Sequence, residues 1–187
     1  LIWSNVMNIL IPLADGLEEI EAITIIDVLR RAGRKVTTVA LGDELSVNGA
    51  HQIIIQADAL LSQIDPQEFD AIVLPGGGVG TDNLAADQRV IEIVQNFDKQ
   101  SKYICAICAA PTVLAHAGVL KGLKATCYPS CAPALGDSYT NVPVVADGNI
   151  ITGQGPGTAL LFSLILAHHL AGEDTARAVA KAMLSTY

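Results

Sequence analysis

Continuous apolar runs alternate along the chain with amphipathic stretches. "NILIPL" (8–13), "KVTTVAL" (35–41), "QIIIQA" (52–57), "FDAIVLPGGG" (69–78), "YICAIC" (103–108) and the start of "NIITGQGPGTALL" (149–161) read as strands, several of them running directly into glycine turns. "LEEIEAITIIDVLRRAG" (17–33) has helical spacing through Leu17, Ile20, Ile23 or Thr24, and Val28 or Leu29. It carries acids in its first turn, Arg30 and Arg31 in its last, and Gly33 as a stop. "DQRVIEIVQNFDKQ" (87–100) opens on an acidic cap and sets Val90, Ile91, Val94 and Phe97 on one face. "AAPTVLAHAGVL" (109–120) reads as an alanine-rich helix and "GTALLFSLILAHHLAG" (157–172) as a buried one. Apolar strands separated by amphipathic helices predict a mostly parallel sheet covered on both faces, a doubly wound α/β sandwich.

Composition narrows the setting. A chain of 187 residues, 51% hydrophobic, suffices for one substantial core, and no linker, repeat or low-complexity tract divides it. One domain over residues 7–187 is expected, with residues 1–6, "LIWSNV", as an appended or disordered extension before Met7. A net charge of -8 offers no general attraction to nucleic acid or anionic lipid, so neither is an expected partner. The uncharged stretch before His168 falls short of the roughly 20 residues that span a bilayer. The N-terminus lacks a secretory signal pattern, and Cys105, Cys108, Cys127 and Cys131 make no disulfide framework, which together predict a cytoplasmic protein. Cys127 and Cys131 have no second pair spaced to complete a zinc site, so no metal is expected.

In open α/β sheets the strands' carboxyl ends carry the site. Three turns fall there: "ADGLEE", "LPGGG" and "AICAAP". A lone cysteine in an apolar run is more often inert packing than a nucleophile. Cys108, however, closes a strand and is followed by small residues and a helix, the arrangement of a nucleophile elbow. Backbone N–H groups at that helix start would favour thiolate and hold an oxyanion, predicting a thiol pKa below the usual value of about 8.5. Cys105, inside the strand, is expected to be inert. Gly76, Gly77 and Gly78 lack the Gly-Lys-Ser/Thr continuation of a phosphate loop, so they are read as allowing close backbone approach to the thiol.

"LADGLEEIEAITIIDVLRRAGRKVT", "IVLPGGG", "AICAAPTVLA" and "ITGQGPGTA", in register from about Met7 to the C-terminus, resemble the ThiJ/PfpI superfamily, in the branch of the parkinsonism-associated protein deglycase and its bacterial relatives. The resemblance implies a flavodoxin-like sandwich, a homodimer, no cofactor, and a readily oxidised cysteine on the elbow. By position that cysteine is Cys108, its carboxyl partner is Glu21, and the backbone donors facing it are Gly77 and Ala109, with Gly76, Tyr128 and His51 around the pocket. Tyr128 stands where many members place a histidine, so a Cys–His dyad is absent at that position. His51 stands where relatives carry an arginine near the dimer partner's site, and Ala110 replaces a common glycine.

The implied activity is glyoxalase or deglycase chemistry on α-oxoaldehydes such as methylglyoxal or their early protein adducts, the partner being a small carbonyl substrate or a glycated protein. Alternatives are a non-enzymatic oxidative-stress sensor or chaperone using oxidation of Cys108 and, more weakly, a peptidase or amidase, or the thiazole monophosphate biosynthesis role of older family naming.

Overall fold

A computed structural model describes residues 6–187, so all but one residue of the 1–6 extension lies outside the described residues. Seven strands form the central sheet: β1 (Asn8–Leu13), β2 (Lys35–Ala40), β5 (Ala59–Leu60), β6 (Ala71–Leu74), β7 (Tyr103–Ile107), β8 (Val144–Asp147) and β9 (Ile150–Gly153). Their order is β5-β2-β1-β6-β7-β9-β8, and only β8, on β9, is antiparallel. This is the expected flavodoxin-like, doubly wound sheet.

The run at 52–57 does form a strand, β4 (Ile54–Gln56), but it stays out of the central sheet. It pairs antiparallel with β3 (Ser46–Asn48) as a separate ribbon. Three residues with only the middle one buried make a half-covered ribbon, not a core strand.

Alternate side chains of the strands feed two cores. Leu10, Ile72, Leu74, Ile104 and Ala106 face α2 (Gly78–Ala86), α3 (Gln88–Lys99) and α4 (Pro111–His116), where Leu84, Val90, Val94 and Phe97 close the layer. Ile9, Ile11, Leu13, Val73 and Ile107 face α1 (Glu19–Arg31) and α6 (Ala159–Ala171) through Ala22, Ile25, Leu29, Phe162 and Leu166. Further out, α7 (Glu173–Ala182) packs Ala176 and Val179 beside Val28, Leu164 and Ala167, while α5 (Ala132–Leu135) lies near the end of α4. Among the described residues, no helix is long and apolar enough to cross a membrane.

Two helices differ from expectation. In α1 the buried side is Glu21, Ala22, Ile25, Ile26, Val28 and Leu29, whereas Ile20 and Ile23 face outward at 58% and 47% exposure. The helix starts at Glu19, so Leu17 is buried ahead of it, bridged to Gly49, and the inward stripe is rotated from the one its isoleucines suggest. The alanine-rich segment is helical only over Pro111–His116; Gly118, at φ 78°, ends it in a conformation that favours glycine.

The strand order reverses between β1 and β6. From β1 the chain winds outward to β2 and β5, then returns to β6 and winds the other way. The carboxyl ends of β1, β6 and β7 thus open on the crevice where such sheets place their ligands.

Candidate active site

Cys108 follows β7 directly and has φ 64°, in the left-handed region that side chains other than glycine rarely adopt. Two backbone hydrogen bonds hold it there. Its N–H donates to the Gly153 carbonyl at 3.0 Å, and its own carbonyl accepts from Tyr128 N at 2.8 Å. Strain of this kind, over-determined by its surroundings, marks functional turns. The residue is 9% exposed.

Glu21 arrives from the first turn of α1 and is fully buried. Glu18 caps the helix: its Oε2 accepts from Glu21 N at 2.8 Å, and its own N–H donates to the Gly76 carbonyl at 2.9 Å. Gly76 N returns a bond to Glu21 Oε2 at 2.9 Å, and Glu21 Oε1 has no oxygen or nitrogen partner. A Cβ on Gly76 would press on Glu21 Oε2 and lie 2.6 Å from Cys108 Cβ. The acid and the thiol therefore flank one bare stretch of backbone, close enough that each bears on the titration of the other.

Burial raises the Glu21 carboxyl from 4.5 to about 7; the charge of Glu18 adds to the rise, while the Cys108 and Gly76 hydrogen bonds oppose it. Burial also raises the Cys108 thiol, to about 12, with the Glu21 carboxylate adding to it and the Gly77 and Ala109 N–H groups pulling it down. The expectation of a thiol below 8.5 is thus corrected: two backbone donors do not outweigh burial and an adjacent anion. Groups in contact titrate as a pair, so between about 7 and about 12 this pair holds one proton. Burial drives Cys105, in the strand, still further up, and raises Cys127 to about 11.

Gly77 and Ala109 thus bring their N–H groups to the sulfur, from the cap of α2 and from the turn before α4. Tyr128 is half-exposed, its ring lying over Gly155. His51 is exposed, and its N–H and Nδ1 bond to Glu19 Oε1 and Oε2 at 2.6 and 2.7 Å, latching the loop after β3 onto α1. Burial acts to raise the Glu19 carboxyl, but the His51 bonds hold it below its ordinary value; in turn they raise His51. Glu18, Glu19 and His51 form the one set of donors among the described residues within metal-ligand reach of one another, and each is engaged within the chain. A larger hollow of about 670 Å³ outside β1 and β2, lined by Asp15, Asp43, Glu44 and Asp87, does not include Cys108.

Residues 7–169 match the model of the DJ-1/PfpI family. The chain belongs to that family. It is 43% identical to protein dj-1beta of Drosophila melanogaster over 95% of this chain and 97% of that one. It is 30% identical to a deglycase of Pyrococcus abyssi over 81% and 92%. The solved structure of oxidized DJ-1 from Toxoplasma gondii superposes with a TM-score of 0.94 at 33% identity, covering 97% of this chain and all of that one.

Glu18, one of the acids that helical spacing places in the first turn without distinguishing them, caps α1, holds Gly76 and helps raise Glu21. An acid three residues ahead of another at a helix start is the available signal.

Proposed function

We propose that the protein is a DJ-1-type stress-response enzyme that uses Cys108, without a cofactor, on small α-oxoaldehydes such as methylglyoxal or on their early adducts with proteins. The observation that carries this reading is the buried Glu21 carboxyl, raised to about 7 and set against the Cys108 thiol. An acid of that strength exchanges protons in both directions at neutral pH. The name of the Pyrococcus abyssi relative, a deglycase, agrees with it.

In the proposed reaction the sulfur, as thiolate with the shared proton on Glu21, adds to the aldehyde carbon. Glu21 returns its proton to the new alkoxide, forming a hemithioacetal. Glu21 then takes the proton from that carbon and the neighbouring carbonyl carbon regains one through an enediol, leaving a 2-hydroxy thioester. Water hydrolyses the thioester, releasing the 2-hydroxy acid and restoring the thiol, so the sum is aldehyde plus water. The Gly77 and Ala109 N–H groups steady the sulfur when it is anionic. Tyr128 offers no imidazole base, which leaves the proton transfers to Glu21.

With purified protein and methylglyoxal, lactate should form with the wild type and fall to background with Cys108→Ser. Equal lactate from both would remove Cys108 from the chemistry. The same buried acid and donors also suit a sulfur held in oxidised form, the basis of the sensor reading. No lactate, together with peroxide oxygens added to Cys108 ahead of Cys105, Cys127 and Cys131, would favour that reading instead.

The proposed setting is the cytoplasm and the proposed assembly a homodimer, consistent with the outward Ile20 and Ile23 on α1. Sedimentation at micromolar concentration should give twice the chain mass for the wild type and one chain mass for Ile20→Glu/Ile23→Glu. A monomeric wild type would refute it.

A further inference from the structure

Beside the elbow lies a hollow of about 260 Å³ walled by Tyr128, Pro129, Gln154, Gly155, Pro156 and Thr158. We propose that it receives an uncharged, preferably aromatic, substituent of the carbonyl compound attacked by Cys108, an inference that rests on the function proposed above.

Both walls grow from segments hydrogen-bonded to the nucleophile. Tyr128 N donates to the Cys108 carbonyl, and the other wall continues from Gly153, whose carbonyl accepts from Cys108 N. A group seated between them is therefore held against the same backbone that carries Cys108, whose own side chain does not line the hollow. No charged side chain lines the hollow. Its polar groups are largely engaged within the chain: Gln154 Nε2 donates to Asn141 Oδ1 at 2.8 Å, and the Thr158 hydroxyl donates to the Gly155 carbonyl at 2.9 Å. A charged substituent entering here would lose water without gaining a partner.

Gly155 supplies the room. Its φ of 168° is extended backbone open to any residue, so the glycine is not required by conformation. A Cβ there would sit 3.4 Å from Tyr128 Cδ2, inside the space the hollow leaves free. The Tyr128 ring, 48% exposed, presents an aromatic surface across that gap. The volume is below the roughly 300 Å³ at which pockets for drug-sized ligands begin, so one ring fits better than an extended chain. Stacking on a tyrosine is worth roughly a three- to tenfold preference.

The test compares second-order alkylation of Cys108 by iodoacetamide and N-benzyl iodoacetamide, followed by intact mass with peptide mapping, using N-acetylcysteine as the free-thiol standard. In the wild type the benzyl-to-parent rate ratio should exceed the standard's roughly fivefold. Gly155→Val should bring the ratio down to the standard's while leaving the iodoacetamide rate unchanged, and Tyr128→Ala should bring the ratio down as well. Gly155→Ala, whose added atom makes ordinary contact, should fall between. Melting curves matching wild type show that these variants are folded. A wild-type ratio equal to that of free thiol, or variants that slow both reagents alike, would overturn the subsite. Alkylation needs no aldehyde turnover: a benzyl preference without lactate formation sinks the proposed enzyme and keeps the subsite, while lactate formation without the preference does the reverse.

Discussion

Replacing Glu21 by glutamine should move the pH at which Cys108 becomes reactive upward by about one unit or more. In the wild type the first proton leaves the acid–thiol pair near 7, and the singly protonated pair contains some thiolate whichever partner more often keeps the proton. The thiolate share sets the height of the reactivity plateau. The midpoint, however, follows loss of that first proton. With glutamine the sulfur titrates alone, and burial, the largest influence on it, still holds its proton. Alkylation rate against pH should therefore turn on near 7 in the wild type and distinctly later in Glu21→Gln; superimposable profiles would disprove the coupling.

The same variant has a stability signature. The folded pKa of Glu21, about 7, lies above its ordinary 4.5, so its contribution to stability is fully present below 4.5 and is lost as pH rises through 7. A shift of this size corresponds to about 3 kcal/mol for a buried group. Denaturant melts should show Glu21→Gln gaining on the wild type between pH 5 and 8.

The largest loss of stability is expected from Gly77→Ala. Gly77 has φ 99°, and an added Cβ would strike the Gly16 carbonyl and lie 2.6 Å from Glu18 N and 2.8 Å from the Leu17 carbonyl carbon. These are main-chain atoms of the loop that delivers Glu18 and Glu21, so no side chain can swing aside. Overpacking and left-handed strain together should cost about 3 to 4 kcal/mol. Gly78→Ala is the control. Nothing lies within 4 Å of its Cβ, and as the first residue of α2 it should be neutral or slightly stabilised. Urea melts of the two variants with a common midpoint would contradict the close approach.

Why some elements were legible in the sequence and others not follows from where their information resides. β1, β6 and β7 are apolar throughout because both faces of a parallel strand are covered, and such runs announce themselves. Cys108 was legible as an elbow from a strand ending in small residues. Glu21 was not legible from periodicity, since a buried acid is invisible to a hydrophobic pattern; the resemblance carried it. That blind spot also turned the reading of α1, whose buried stripe includes Glu21 and Ala22 while Ile20 and Ile23 point out. α2 carries no periodic apolar signature, since "GVGTDNLAA" reads as loop, and its start is set by Gly77 packing on the β1 turn. The thiol's upward shift was equally hidden, because it depends on burial and on a neighbour 87 positions away in the chain.

The left-handed backbone at Cys108 has a consequence for lineage. A residue other than glycine held there costs on the order of 1 kcal/mol, a cost that the role proposed for its side chain would account for. In a relative whose chemistry is no longer under selection, glycine or asparagine at this position would relax the turn and make the chain more stable. The identity of this one residue can therefore serve as a marker, separating descendants that still use the crevice from those that keep only the scaffold.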